Sequence, residues 1–441
     1  MKHPLLLFII LFLAGKILAQ APQVVSILPA GMSLTATAGT AITATFDAPV
    51  DSASVNEATF RAFGKWSGPA KGVFTFSQDQ TQVQFQPTEP FFAGESVLVQ
   101  LSKSIKSATG QALEKPFAWS FSIATAPGTL HQKLKKTIEL RLPGEDWIQV
   151  YGAYAGDMNN DGYSDLVAVQ EDEDDLRILL NDGQGSYPDD FTLYDFNSNS
   201  TPSPSEGADF NNDGEIDMVV TTAWDNEVRV LMGNGQGNFS SLKTYYTSNG
   251  VRGVVVGDFD GDGWDDMLTT NRLAGNISIF KNAGDGTFTQ TGMDVPGGDE
   301  TSCALTDANG DGILDVYFAM FNAKKIGVLL GDGAGNFNLF GTPVSVVGKP
   351  WMIGAGDFNG DGKPDVASTN SDGNRTVVLF GDGAGGLSQP VNYTPPQHNF
   401  PLAIDIGDLD GDGDLDMVTS NYSSSTYTVF ENDGAGQFTA A

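Results

Sequence analysis

"GDFDGDGWDD", Gly257–Asp266, places five aspartates in ten residues. Like charges at that density repel unless something neutralises them. The pattern D-x-[DN]-x-D-G-x-x-D recurs six times, starting at Asp157, Asp209, Asp258, Asp307, Asp357 and Asp408, at intervals of 52, 49, 49, 50 and 51 residues. A glycine-rich string follows each copy about 25 residues later: "NDGQGSY", "GNGQGNF", "NAGDGTF", "GDGAGNF", "GDGAGGL" and "NDGAGQF". Two motifs locked in phase over six copies define a repeat.

Short β-branched or aromatic runs flank both motifs, such as "GVVVGD" before an Asp string, "DMVVTT" after one and "VRVLMGN" entering a glycine turn. Runs of this kind bounded by Gly and Asp read as strands. A weaker fourth run follows each glycine turn. Four antiparallel strands per unit of this length match the size of a propeller blade. The expected fold is therefore all-β. Six repeats predict six blades, with seven as the alternative. The segment "TIELRLP", 137–143, is expected to supply the outer strand of the sixth blade and close the ring.

Calcium takes six to eight oxygen ligands at loose geometry. Side chains at positions 1, 3, 5 and 9 of a tight loop, with the carbonyl of position 7, can converge on one ion, and Gly at position 6 permits the turn. The side-chain candidates are Asp157, Asn159, Asp161 and Asp165; Asp209, Asn211, Asp213 and Asp217; Asp258, Asp260, Asp262 and Asp266; Asp307, Asn309, Asp311 and Asp315; Asp357, Asn359, Asp361 and Asp365; and Asp408, Asp410, Asp412 and Asp416. The carbonyls come from Tyr163, Glu215, Trp264, Ile313, Lys363 and Asp414. Asp265 is expected to point outward. An EF-hand needs flanking helices and a carboxylate at position 12. That position holds Ala168, Val220, Thr269, Phe318, Ser368 or Thr419. About six Ca²⁺ ions, one per repeat, are expected. Magnesium suits these loops less, because it prefers few carboxylates and many waters.

Formal net charge is −32, which argues against nucleic acid and anionic membranes as partners. The single cysteine, Cys303, forbids an intrachain disulfide and reads as a small buried residue. "MKHPLLLFIILFLAGKILAQ", residues 1–20, reads as a secretory signal peptide, so a secreted, extracellular or bacterial cell-surface location is expected, with no transmembrane segment after cleavage. Residues 21–125 lack the Asp string and carry alternating runs such as "TQVQFQP", which predict a β-sandwich. Residues 126–136 read as a linker and 137–441 as the propeller.

The pairing of "GDFNGDGKPDVAST" with "VVLFGDGAGGL" resembles the FG-GAP/VCBS repeat, the blade also found in integrin α-subunit propellers. The resemblance implies a β-propeller with calcium in the loop joining the first two strands of each blade. Two positions depart from it: Ala308 stands where a large apolar residue is usual, and Leu387 replaces the turn aromatic. Residues 21–125 are similar to the SbsA-type bacterial Ig-like domain, which implies a spacer or adhesion module.

If the Asp loops and glycine turns share the lower face, other loops meet on the upper one. Candidates there are Trp224, Asp225, Arg272, Phe321, Lys324, Arg375 and Tyr422, with Trp147, Tyr151, Arg252, Trp351, His398 and Phe400 from the inter-blade loops. Trp224, Arg252, Trp351 and Tyr422 are the chosen ligand-face residues; Trp351 and Tyr151 plugging the channel is the alternative. Exposed aromatics beside polar groups suit a glycan or protein ligand. Besides His3 in the leader, only His131 and His398 are present, too few for a histidine triad or zinc site. The reading is a non-catalytic, calcium-binding adhesion or ligand-binding protein. A polysaccharide-active hydrolase or lyase, or a structural surface spacer, are the alternatives.

Overall fold

The computed structural model describes residues 20–130, 133–146, 148–196, 200–295 and 298–440. The leader (except Gln20), His131 and Trp147 lie outside them. All regular structure there is strand, apart from two short 3₁₀ turns at Ser52–Ser54 and Ser371–Gly373.

Eight short strands between Val24 and Ser122 form two four-stranded sheets. Alternation places Val83 and Phe85 of Gln82–Pro87 inside and the glutamines between them outside. The two inner faces close around Ile42, Phe60, Phe85, Val97, Leu101 and Phe121.

Six four-stranded antiparallel sheets follow. Their inner strands are Val150–Gly156, Pro202–Ala208, Val251–Gly257, Glu300–Thr306, Pro350–Gly356 and Pro401–Gly407. Each second strand starts on the position-9 aspartate, for example Asp217–Thr222 and Asp266–Asn271. In blades two to five these second strands are buried at every residue, because a neighbouring blade covers each face. That is why their sequences are continuous runs of apolar residues and threonine rather than alternations.

The phase lock between the motifs has a physical cause. Within a blade, the position-9 carboxylate accepts the backbone N–H of position 2 with one oxygen. With the other it accepts the N–H sixteen residues on, at the entry to the glycine turn; for Asp266 these are Phe259 at 3.1 Å and Asn282 at 2.8 Å. All six blades repeat the second bond, at 2.7–2.9 Å. Between blades, the position-2 side chain packs on the turn aromatic of the next blade. Phe210–Phe288, Phe259–Phe337 and Phe358–Phe438 meet edge to face at 5.3, 5.1 and 5.6 Å, and Met158 and Phe239 share one cluster. The two departures turn out to be the two sides of a single joint, since Ala308 and Leu387 lie in the same cluster between blades four and five.

The sixth joint is not made. Inner strands pack on one another in series from the first blade to the sixth, and no comparable packing links Pro401–Gly407 back to Val150–Gly156. Leu409, at position 2 of the last blade, is 39% exposed. Tyr427 is 57% exposed, whereas Val228, Ile277, Ile326 and Thr376 at the same place in blades two to five are fully buried. The expected closure by residues 137–143 does not occur. The sixth blade takes its own terminal Phe438–Ala440 as fourth strand. Residues 137–143 form no strand and run beside blade one, where Arg177 reaches the Leu140 carbonyl and the Glu145 carboxylate. Arg177 is buried and paired there with Glu145 and Asp175, at 2.8 and 2.9 Å. These charge-assisted bonds fix the segment where it is.

Candidate metal centres and the upper rim

Each Asp loop folds around its first residue. Asp258 Oδ1 accepts from Gly261 N at 2.7 Å and from Asp262 N at 3.1 Å, and its Oδ2 accepts from Gly263 N at 2.8 Å. The bond from the position-6 glycine to the first aspartate recurs in all six loops. Two residues per loop have positive φ: the glycine at position 6, and position 4, which is Asn160, Asn212, Gly261, Gly310, Gly360 or Gly411. The repeat pattern leaves position 4 free, yet the backbone there is left-handed in every loop. Its restriction to Asn and Gly, the two residues most at ease there, was the available signal.

In loop three, Asp258, Asp260 and Asp262 bring carboxylate oxygens within 4.8 Å of one another; Asp266 stands apart from that triple. In loop six the grouped residues are Asp408, Asp410 and Asp416, so position 9 joins the cluster there. Asn159 and Asn211 donate their side-chain amides to the position-5 carboxylates at 2.9 and 2.8 Å. Their amide oxygens accept the backbone N–H of the same position-5 residues.

Burial, with neighbouring carboxylates adding to it, raises the pKa of these acids: Asp266 to about 9, Asp217 to about 8, Asp258, Asp315 and Asp365 to about 7, and Asp165, Asp209, Asp307 and Asp416 to about 6. Crowded, desolvated oxygens of this type suit a hard divalent cation, which supplies the missing positive charge.

Asp265 does not point outward. It is 4% exposed, and its carboxylate takes both guanidinium nitrogens of Arg61 from the sandwich, at 2.8 and 2.6 Å. Gln100, also from the sandwich, donates to Asp265 at 3.1 Å and accepts from Asp258 N at 2.7 Å. Further bonds run from Asp157 N to the Trp66 carbonyl, Lys103 N to the Gly261 carbonyl, and Ala118 N to the Gly312 carbonyl, at 2.7, 2.7 and 2.6 Å. Thr125 Oγ1 bonds Asp408 Oδ2 at 2.9 Å. Arg61 also reaches the Asp209 carbonyl at 3.5 Å, so the sandwich is seated on the loop face of the propeller and touches loops one, two, three, four and six.

The opposite rim carries the aromatic candidates. Trp224 and Tyr422 are 66% and 62% exposed. Trp351 Nε1 donates to Tyr151 Oη at 3.0 Å, tying blade five to blade one across the mouth of the channel. Arg252 lies over the Tyr151 ring at 5.2 Å and pairs with Glu171 at 3.5 Å. Arg252, Trp351 and Tyr422 line a cavity of about 1140 Å³ bounded by the inner strands and the sandwich. Trp224 stands outside it, on a smaller notch that Arg252 also lines. Lys324 pairs with Asp372, and Arg375 reaches the Gly373 carbonyl. Phe400 and Tyr422 approach each other at 6.2 Å. His398 is buried against Thr419 and Phe430 and is no rim residue. Cys303 lies buried on an inner strand, where burial pushes its thiol pKa up.

The profile of the FG-GAP-like repeat matches residues 157–220, 209–269, 258–318, 307–368 and 357–419, each window running from one Asp loop to the end of the next. That of the bacterial Ig-like domain Big_5 matches residues 19–123. No curated protein matches the chain. Among solved structures, a protein from Lactobacillus plantarum aligns at a TM-score of 0.52 and 11% identity, over 87% of this chain and 95% of that one, a likeness of fold alone. An Agrocybe aegerita lectin that recognises non-reducing terminal N-acetylglucosamine aligns at 0.46 and 20% identity, over 67% and 81%. The periplasmic gluconolactonase of Pseudomonas aeruginosa aligns at 0.45 and 15% identity, over 75% and 95%. The last two are too distant to bear on function.

Proposed function

We infer the function from one premise: the chain belongs to the FG-GAP-like repeat family and carries a bacterial Ig-like domain ahead of its repeats. It is a non-catalytic binding propeller, held by calcium in its Asp loops and presenting its upper rim to a glycan or protein ligand outside the cell. The observation that carries this reading is the division of the two faces. The sandwich occupies the face of the Asp loops, while the opposite rim keeps Trp224 and Tyr422 exposed beside arginines. The one described histidine is buried in packing, so among the described residues no imidazole serves acid–base chemistry on the rim, and the acid with a raised pKa there, Glu300 at about 7, is itself buried. The leader directs export, which suits loops of modest calcium affinity, on the order of 10⁻⁴–10⁻³ M for extracellular modules.

Elemental analysis of the purified full chain tests the metal reading, with about six calcium ions per chain expected and none counting against it. A glycan array and a pull-down with the full chain test the rim. Saturable capture lost in Trp351→Ala or Tyr422→Ala supports the assignment. Capture of nothing, or turnover of a captured glycan, overturns it.

A further inference from the structure

Arg272 is the anomaly of the upper rim. Its guanidinium lies 4.0 Å over the Phe321 ring and 5.2 Å from that of Trp351, and its buried Nε finds no acceptor. Among the described residues no carboxylate pairs with it. Arg252 lies close enough that, after burial, its like charge is the next cause holding Arg272 below its ordinary pKa. A chain with 55 acidic residues against 23 basic ones has nonetheless placed two arginines on one notch, one of them without a salt bridge and offset only by the more distant charge of Asp299. A partly desolvated cation with an unmet donor is a liability that an incoming anion beside it reduces. The planar guanidinium fork fits a carboxylate in particular.

The surroundings indicate what carries that carboxylate. Arg252 and Arg272 line a notch of about 50 Å³ with Ala223, Gly250, Leu273 and Trp224. The notch has room for a carboxylate group but not for a whole sugar ring. Trp224 stands at its edge with its indole 66% exposed, a flat apolar surface of the kind on which the C–H face of a pyranose rests. The surrounding net charge of −32 disfavours a dense polyanion. We propose that the notch bounded by Trp224, Arg252 and Arg272 is a subsite for an acidic saccharide, a uronic acid residue whose carboxylate meets the two guanidiniums while its ring rests on Trp224. This deepens the upper-rim reading and depends on it.

Titration calorimetry of the calcium-loaded full chain with methyl galacturonoside, a single uronic acid residue, and with its methyl ester, tests the assignment. Saturable binding of the acid is expected, weakened about ten- to a hundredfold by Arg272→Gln, comparably by esterification, and at unchanged calcium content. Arg272→Lys should recover only part of the affinity, because it keeps the charge without the fork. Trp224→Ala, at an exposed site, should weaken binding without moving the melting temperature and serves if Arg272→Gln folds poorly. Equal binding of acid and ester overturns the carboxylate assignment while leaving the rim as a glycan site. Acid binding that neither Arg272→Gln nor Trp224→Ala affects, or capture of acidic peptides and no saccharide, overturns the subsite altogether.

Discussion

Arg61→Ala should loosen the sandwich from the propeller. The Arg61–Asp265 pair is bidentate, at 2.6 and 2.8 Å, and its side chains are 8% and 5% exposed. Two unit charges about 4 Å apart at an effective dielectric near 20 attract by about 4 kcal/mol. Truncation removes that attraction and leaves a buried carboxylate supported by Gln100, so a loss of about 3–5 kcal/mol is expected. The double variant Arg61→Met/Asp265→Leu removes both charges together and should recover most of that loss, because the cost lies in the orphaned charge. The assay is urea unfolding at saturating calcium, following tryptophan fluorescence and calorimetry in parallel. In the parent the sandwich should unfold with the propeller. In Arg61→Ala the transition should broaden or split, because the sandwich then lacks its buried tie. A single variant costing under about 1 kcal/mol, or a double variant as damaged as the single one, would refute the reasoning.

Chelation should lower the melting temperature by many degrees. Each saturated site contributes about 2.7 kcal/mol when calcium stands at a hundred times its dissociation constant; calorimetry with and without EDTA reads the difference, and an unchanged melt counts against bound metal. Phe259→Ala removes one side of the joint with Phe337 and should cost about 3–5 kcal/mol in denaturant unfolding. Leu387→Phe, facing the small Ala308, should cost less than about 1.5 kcal/mol in the same assay. Burial lowers the pKa of His398 to about 4, against an ordinary value near 6.5. Between those values the unfolded chain binds a proton that the folded one refuses, so its contribution is full above pH 6.5 and declines towards pH 4, by at most about 3 kcal/mol. Urea midpoints at pH 7 and pH 5 should therefore differ less in His398→Phe than in the parent.

The propeller was legible because each repeat carries both halves of a joint. Position 2 and the turn aromatic are local signatures whose partner lies one repeat away, so their phase betrays the packing. Even the mismatch at Ala308 and Leu387 was visible as two departures, though not that they answer one another. What the sequence hid depends on contacts between unlike segments. Arg61 sits in a strand where nothing distinguishes a solvated arginine from a buried one, and Asp265 looks like one more acid in a crowded loop. Their pairing over 204 residues has no local signature. The 137–143 run had the composition of a strand, but Arg177 holds it along blade one. The Asp loops were legible as oxygen-rich turns. That five of them also receive the sandwich depends largely on backbone groups, the Trp66, Asp209 and Gly312 carbonyls among them, which every residue type possesses.

The unmade contact at Leu409 and Tyr427 gives the propeller two ends, and with ends comes an order of fraying. A closed circle must break somewhere before any sheet can peel away. An open series of six sheets behaves as a one-dimensional array, whose free energy is approximately the sum of its units and the interfaces between neighbours. The two end sheets, each with a neighbour on one side only, should exchange their amide hydrogens soonest, and protection should deepen towards the middle of the series. The sandwich clips both ends, the first sheet through the bond from Asp157 N to the Trp66 carbonyl and the last through Thr125 Oγ1 to Asp408 Oδ2, so fraying starts from the outer strands of the end sheets and not from their loops.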